Sequence, residues 1–256
     1  MRRILVCFKV SHNYEDMLQK DWEHFEEFMK FTKRILSSYD ESGAEYALRL
    51  KDELIASGEE VMLEGVTIDE GYNSLIYSHL FAVGFDNIYE LHTDKLDFNP
   101  VSKAEIIAEF IGSNQYDLIF TGALGMTGGT GMFPVALASK LDIPCLDFVE
   151  DIEYESEGIV KAEYLIDGGS RTIQAALPVL CAIGNSRHPY LRVPTLRAKL
   201  NAKGKKAEEI NVNAIRYPFE PAVSTGEVHR IPEKQVRMIS SAEAVDLVND
   251  LFGGTL

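Results

Sequence analysis

The sequence has few cysteines, an excess of acidic over basic residues, and no long apolar run. Its three cysteines, Cys7, Cys145 and Cys181, lie far apart, so they provide neither a disulfide framework nor the paired spacing of a zinc site. No stretch approaches the roughly eighteen apolar residues that a membrane-spanning helix needs. Met1-Arg2-Arg3 leads directly into a strand-like run, which is unlike a signal peptide. We therefore expect a cytoplasmic protein without membrane insertion.

The charge balance argues against one class of partner. The chain has 25 basic and 40 acidic residues, a net charge of −15, and nucleic-acid binding needs a positive surface. We therefore expect no nucleic-acid partner. Seven basic residues and no acidic one lie between Arg187 and Lys206. This segment is either a solvated loop or a docking surface for an acidic partner.

Strands and helices are predicted to alternate through residue 148. The predicted strands are 4–9, 61–66, 87–91 and 117–121, and the predicted helices are 13–36, 41–57, 70–83, 103–113 and 134–141. Ser102 with Glu105 predicts a capping box at the start of helix 103–113. This alternation is typical of an α/β fold with a parallel, doubly wound, Rossmann-like sheet covered by helices on both faces.

The pattern changes after residue 148. Short strands at 151–155, 159–166, 171–176 and 179–183 are separated by hairpin connections, so antiparallel strands are expected as an extension. Prolines punctuate the later chain, and a short amphipathic helix is predicted at 241–252. The stretch from 208 is predicted to be an arm that packs on another body. We divide the chain into a domain at 1–217 and a C-terminal arm at 218–256.

A glycine-rich segment, 122–134, is the most informative local feature. It follows a strand and precedes a helix, and it contains five glycines within ten residues. Glycines let the backbone approach a ligand closely, the helix N-terminus favours an anion, and Thr127 and Thr130 offer hydroxyl groups. The segment has neither the Walker sequence nor the dinucleotide fingerprint. It is either a phosphate-binding loop or a turn, and its place at the carboxyl end of a parallel strand favours binding.

Catalytic machinery is not evident in the sequence. None of the six histidines (His12, His24, His79, His92, His188, His229) has a partner at zinc-site spacing. The three cysteines are expected to be buried structural residues. No nucleophile, base and orienting group are linked by the pattern. We therefore predict no catalytic residue and no metal site.

The order of several short motifs resembles the beta (small) subunit of electron transfer flavoproteins over essentially the whole chain. The motifs are 6–9, 39–41 with 45–51, 81–86, 117–122, 163–169, 177–178 and 185–194. The resemblance implies a heterodimer with an alpha subunit that supplies most of a flavin (FAD) site. It also implies an adenine nucleotide in the beta subunit: AMP in the simple members, or a second FAD in the bifurcating members, which oxidise NADH.

The resemblance also implies which residues would bind nucleotide. They are Cys7, Ser37, Ser38, Tyr39, Asp40, Ile68, Gly122, Ala123, Leu124, Gly125, Met126, Thr127, Gly128, Gly129, Thr130, Gly131, Met132 and Phe133. Tyr14 and Tyr39 match aromatic positions near the alpha-bound flavin. The stretch 185–197 matches the loop that anchors an acyl-CoA dehydrogenase or another flavin dehydrogenase. Its expected docking residues are Arg187, Tyr190, Arg192, Val193 and Arg197, with Val193 as the apolar anchor.

Several positions depart from the family pattern. The usual acidic residues of the loop are replaced by Thr127-Gly128-Gly129, and its glutamine by Met132. Ser37-Ser38 replaces Asn-Pro, Leu165 replaces an acidic residue, and helix-like 13–36 replaces the usual hairpin. Three functions follow as alternatives: an electron-carrier subunit, its bifurcating variant, or a stand-alone nucleotide-binding protein of the universal-stress type. The last would lack the antiparallel extension and the arm.

Overall fold

A computed structural model describes residues 1–68, 73–93, 99–112, 114–126, 128–156, 158–212 and 240–252 of the protein. The chain divides into two compact units, Met1–Pro221 and Ala222–Leu256. The domain boundary expected at residue 217 lies outside the described residues and stays a prediction. Within the described ranges, no helix is both long enough and apolar enough to cross a membrane.

The strands and helices of the described residues follow in chain order. The strands are β1 (Arg2–Cys7), β2 (Val10–His12), β3 (Arg34–Leu36), β4 (Val61–Ile68), β5 (Asn87–His92), β6 (Leu118–Gly122), β7 (Cys145–Val149), β8 (Asp151–Ser156), β9 (Ile159–Ile166), β10 (Gly169–Ala176), β11 (Val179–Ile183) and β12 (Glu208–Asn211). The helices are α1 (Phe25–Phe31), α2 (Ser38–Ala56), α3 (Ser74–Val83), α4 (Pro100–Ile111), α5 (Met132–Leu141), α6 (Leu196–Asn201) and α7 (Ser241–Phe252).

Among the described residues, seven strands form one parallel sheet in the order β12-β5-β4-β1-β6-β11-β7. Helices cover both faces, as the sequence predicts. One apolar cluster joins the sheet to α2 and α3 through side chains such as Leu50 and Leu80, and the other joins it to α4 and α5 through Ile107 and Leu137. The chain continues from β1 to β4 on one side and later returns to β6 on the other. The strand order therefore reverses at β1 and β6, where open α/β sheets bind ligands.

The antiparallel extension is smaller than predicted. β8, β9 and β10 form an antiparallel sheet, as expected. Val179–Ile183 was expected to extend it, but β11 is instead a parallel strand between β6 and β7. All five residues of β11 are buried, which suits a strand covered on both faces. Residues 208–211 were expected to begin the arm, but they form β12, which pairs with β5 at the edge of the main sheet.

The predicted helix over 13–36 is wrong. The segment contains two 3-10 turns, the short helix α1, and strand β3, which pairs with β2 as an antiparallel hairpin. Its large apolar side chains do not reach the core: Trp22 is 63% exposed and Phe31 is 81% exposed. Polar side chains also compete for the backbone, since Asp21 accepts from the Leu18 N–H at 2.8 Å. Without a buried face, spacing alone does not sustain a long helix.

Two helices begin next to a polar side chain that binds the backbone of their first turn or of the residue before it. α4 begins at Pro100, with Asn99 accepting from the Val101 N–H at 2.9 Å, so the capping box predicted at Ser102 is wrong. The helix begins three residues before the predicted start, with Asn99 as its cap, because proline suits the first helical position. In the second unit, α7 matches the predicted helix 241–252. The Glu243 carboxylate there accepts from the Ser240 N–H at 2.8 Å.

Candidate functional site

A cavity of about 380 Å³ opens at the carboxyl edge of the parallel sheet. Its walls come from the ends of β1, β4 and β6 and from the first turns of α2, α4 and α5. The N-terminal ends of these helices carry partial positive charge and N–H groups without intrahelical partners. Three helix N-termini at one cavity make it suitable for an anion.

Most residues of the predicted nucleotide site reach this cavity. Those lining it are Cys7, Asp40, Ile68, Gly122, Ala123, Leu124, Gly125, Gly128, Gly129, Thr130, Gly131 and Phe133. Ser37, Ser38, Tyr39, Met126, Met132 and Tyr14 are not among the lining residues. Thr127 lies outside the described residues. The nucleotide site itself stays a prediction, but the structure brings together segments that are more than a hundred residues apart.

The glycine-rich loop has a backbone conformation that side chains resist. Gly128, Gly129 and Gly131 have φ angles of 88°, 37° and 66°, all in the left-handed half of the map. A Cβ added at Gly128 would meet nothing within 4 Å. Glycine is therefore needed there for its backbone angle, and the space beside it is open. Gly131 precedes α5 and has no side chain with which to cap its first N–H groups.

Asp40 ties two strand ends to the first turn of α2. Its Oδ2 accepts from the Lys9 N–H at 3.0 Å, and its Oδ1 accepts from the Gly122 N–H at 3.0 Å. A Cβ at Gly122 would lie 2.7 Å from Asp40 Oδ1 and 2.8 Å from Tyr39 Cβ. Glycine is thus required at 122 by close packing. The two hydrogen bonds of Asp40 set the position of the glycine-rich loop relative to β1.

The environment of Asp40 alters its protonation. Burial raises the pKa of this carboxyl to about 7, and the N–H groups of Lys9 and Gly122 only partly oppose the effect. The ordinary value is 3.8, so between these two pH values the folded chain keeps a proton that the unfolded chain releases. Asp40 therefore contributes stability that is fully present below pH 3.8 and is lost as the pH rises through about 7.

We expect Asp40→Asn to remove this pH dependence. Between pH 5 and 7.5, the free energy of unfolding of the wild type should fall relative to the variant by on the order of 2 kcal/mol. Urea unfolding at several pH values measures the difference. Asp167→Asn, in the exposed β9–β10 turn, is the matched control. Parallel pH profiles for wild type and Asp40→Asn would contradict the assignment.

Two buried hydroxyl groups at the cavity were missed by the sequence analysis. Thr67 and Thr121 line the cavity, each is 1% exposed, and neither Oγ1 has a hydrogen-bond partner among the described residues. Buried polar atoms are rarely left unpaired, so a bound polar ligand would explain both. The open space beside Gly128 lies at the same cavity, so the described residues there offer both room and unpaired hydroxyl groups to a polar ligand. No local pattern marks them, because both lie within ordinary strand sequence.

Cys7 lines the cavity as a neutral thiol. Burial, with a smaller effect from Asp40, raises the pKa of this group far above its ordinary range. A thiol is a poor nucleophile compared with a thiolate. Cys7 therefore contributes shape and apolar surface to the cavity wall, and reactivity is not expected of it.

Four of the predicted docking residues lie in the loop before α6 and Arg197 lies in α6, and their contacts differ. Tyr190 and Val193 are 79% and 82% exposed. Arg187 forms ion pairs with Asp151 and Glu163, and Arg192 with Glu45 and Asp52. Arg197 is exposed, and no hydrogen bond or ion pair is found for it among the described residues. The exposed apolar side chains and Arg197 can meet a partner, whereas Arg187 and Arg192 are already paired within the chain.

Comparison with known proteins places this geometry in a family. The family described as "Electron transfer flavoprotein domain" matches residues 30–215, more than half of the chain. Electron transfer flavoprotein subunit beta of Bacillus subtilis is 24% identical over 222 residues, covering 85% of this chain and 84% of that protein. The subunit beta of Thermoanaerobacterium thermosaccharolyticum is 27% identical, covering 69% and 65%. The putative electron transfer flavoprotein subunit YgcR of Escherichia coli is 25% identical, covering 78% and 77%. The chain therefore belongs to the electron transfer flavoprotein family, within its group of beta subunits.

Proposed function

We propose that the chain is the beta subunit of a heterodimeric electron transfer flavoprotein. It binds an adenine nucleotide, AMP or a second FAD, in the cavity at the carboxyl edge of the sheet. With an alpha subunit, it passes electrons between a flavin dehydrogenase and a shared FAD. The observation that carries the nucleotide assignment is the convergence of the glycine-rich loop, the N-terminus of α5 and the unpartnered Thr67 and Thr121 hydroxyls.

The residues of this chain would act by binding and positioning. The loop 128–131 and α5 present N–H groups to phosphate, while Asp40 fixes the loop against β1 through two backbone hydrogen bonds. The flavin, when bound with the alpha subunit, supplies the redox chemistry. The loop 185–197 presents Tyr190 and Val193 to a dehydrogenase, an exposed apolar centre beside charged residues.

Identification of the released ligands tests the function. The chain is co-expressed and purified with its alpha partner, denatured, and the soluble ligands are separated and identified by mass spectrometry. One FAD with one AMP per heterodimer supports the carrier, and two FAD support the bifurcating form. ATP on a homodimer would instead support the stress-type alternative. A heterodimer without any adenine nucleotide in the beta subunit would overturn the cavity assignment.

The C-terminal arm, 218–256, is proposed to pack on the alpha subunit. Its amphipathic helix α7 belongs to the second compact unit. We expect chain 1–217 to remain folded and to lose most of its alpha subunit during co-purification, because the arm's apolar face would no longer contribute to the interface. Circular dichroism and size-exclusion chromatography measure the two effects. Aggregation of chain 1–217 would show that the arm belongs to the domain core.

In the segment 185–197, we expect charged and apolar side chains to affect different steps of docking with the dehydrogenase. Arg197→Glu with Lys199→Glu should slow electron transfer with the dehydrogenase most at low salt, since charges steer encounter over a Debye length of roughly 8–10 Å. Val193→Ala should weaken docking by about 1 kcal/mol at any salt. Stopped-flow reduction at two salt concentrations separates these effects. Lys30→Glu, on exposed α1, is the charge control. Unchanged rates in all variants would mean that the loop is only solvated.

A further inference from the structure

A β-bulge interrupts β7, the strand at one edge of the main sheet. Leu146 is paired with Cys181 and Val149 with Ile183, so three steps along β7 correspond to two along β11. Within the bulge, Phe148 has a φ angle of 55°, in the left-handed region. A bulky side chain adopts this angle only at a cost in free energy. Bulges at sheet edges change the direction of a side chain, and here that side chain is the phenyl ring of Phe148.

The bulge moves Phe148 out of the core. In a regular strand, Phe148 would be paired with Ile183 and would point to the same buried face, because side chains alternate along a strand. Val149 takes that place instead and is 0% exposed, whereas Phe148 is 46% exposed. The residue therefore combines backbone strain with the loss of burial of an aromatic ring. Strained residues of this kind are concentrated at functional sites.

The Phe148 side chain packs on Gly184, the first residue after β11. A Cβ added at Gly184 would lie 3.0 Å from Phe148 Cδ1 and 3.1 Å from Phe148 Cα. Glycine is therefore required at 184 by close packing. The Gly184 N–H also donates to the Val149 carbonyl at 2.9 Å. Because the loop 185–197 begins at the next residue, these contacts set the direction in which the loop leaves the sheet.

The residues that follow the bulge hold the first part of the same loop. The Arg187 backbone N–H donates to the Glu150 carbonyl at 3.4 Å. The Arg187 guanidinium forms ion pairs with Asp151 and Glu163. Phe148 comes directly before this series of contacts, so the bulge fixes the point from which they start.

We propose that Phe148 is a positioning residue for docking of the flavin dehydrogenase. Its ring, held outward by the bulge, packs on Gly184 and thereby directs the loop 185–197. The loop then presents its exposed Tyr190 and Val193 to the dehydrogenase. This inference rests on the proposed docking function of the loop. The strained backbone at Phe148 is maintained because a regular strand would bury the ring and leave Gly184 without this contact.

Phe148→Gly separates positioning from stability. Glycine adopts a φ of 55° without strain, and half of the lost ring is exposed, so the melting temperature should stay the same or rise. Amide hydrogen exchange at 184–190 in the full chain should become faster. The dissociation constant of the heterodimer for an acyl-CoA dehydrogenase should rise by roughly fivefold, with an unchanged electron-transfer rate at saturating dehydrogenase. Phe148→Tyr keeps the ring and should restore wild-type docking.

Gly184→Ala tests the same contact from its other side. The added Cβ would press against the Phe148 ring and displace the start of the loop, so docking should again weaken. Gly169→Ala is the matched control, because this glycine is exposed and an added Cβ there meets nothing within 4 Å. It should leave both docking and the exchange of 184–190 unchanged.

The outcomes separate this inference from the proposed function. If the wild type binds the dehydrogenase and Phe148→Gly and Gly184→Ala bind it equally well, Phe148 does not position the loop. A lower melting temperature of Phe148→Gly, without rescue of docking by Phe148→Tyr, would also overturn the inference. No binding by the wild type would overturn the docking function itself, and the exchange of 184–190 would still show whether Phe148 fixes the loop. Should Phe148→Gly fail to fold, Gly184→Ala with its control provides the same comparison.

Discussion

Replacing both Gly128 and Gly129 by valine is expected to abolish most nucleotide binding. The two residues have φ angles of 88° and 37°, which a β-branched side chain adopts only at a cost. The left-handed region costs roughly 1–2 kcal/mol per residue, so the pair costs about 2–4 kcal/mol. We expect the double variant to avoid this cost by rearranging the loop. The backbone N–H groups of the loop then no longer converge on the proposed phosphate position. Nucleotide affinity should fall by roughly thirtyfold or more.

The chain contains a close control for this experiment. Gly168, in the exposed β9–β10 turn, has a φ angle of 85°, and a Cβ there also meets nothing within 4 Å. Gly168→Val therefore imposes similar backbone strain away from the cavity. It should lower stability without lowering the ratio of nucleotide to protein, which absorbance and mass spectrometry of the released ligand measure. If the loop double variant retains a full complement of nucleotide, the loop is only a turn.

The loop illustrates what sequence could predict of the site. A glycine-rich stretch between a strand and a helix is a local signal, and it lines the cavity at the carboxyl edge of the sheet. The lysines and hydroxyls around it could not be found in this way. Lys9 follows β1, Thr67 lies in β4, Lys103 in α4 and Thr121 in β6. Only the strand order, which brings β1, β4 and β6 side by side, places them at one cavity.

The fold shows the same division between local and distant information. Alternating strands and helices predicted the parallel sheet and its two covering layers. Val179–Ile183 was assigned to the antiparallel extension because it follows three hairpin strands, although its uniformly apolar sequence suits a buried parallel strand. The failure at 13–36 has another cause. Apolar spacing predicts a helix only when a core is available to receive the apolar face, and Trp22 and Phe31 are largely exposed.

The role of Arg192 is decided by contacts with residues that are distant in the sequence. Its place in a basic loop indicated a docking role. In the structure, the Glu45 carboxylate, only 5% exposed, accepts from the Arg192 backbone N–H at 3.0 Å and from its Nε at 3.1 Å. Arg192 Nη1 also lies 2.6 Å from Asp52 Oδ2. Helix α2 therefore holds this part of the loop through Glu45 and Asp52.

Arg192→Glu is accordingly expected to destabilise the fold. It would place a carboxylate against Glu45 and Asp52 and leave the buried Glu45 with Arg49 as its remaining ion pair. Glu45 is 5% exposed and Arg192 is 32% exposed, so the loss lies between that of an exposed and that of a buried ion pair. We expect a cost of about 2 kcal/mol, which lowers the melting temperature of a domain of this size by roughly 4–8 °C. Arg197→Glu makes the same change of charge on an exposed residue five positions later. It should cost no more than about 0.5 kcal/mol.

The comparison of these two variants tests whether the ion pair of Arg192 positions Val193, the proposed apolar anchor. Val193 follows directly after Arg192 and is 82% exposed, so the ion pair beneath it fixes where the valine is presented. Differential scanning calorimetry of the two variants measures their stability. Hydrogen exchange of residues 190–194 in Arg192→Ala, which avoids the added repulsion, should rise relative to Arg197→Ala because the loop is released from α2. Equal melting temperatures for the two glutamate variants, with equal exchange for the two alanine variants, would show that Glu45 does not position the loop. Arg192 would then be available to a partner, as the basic sequence first indicated.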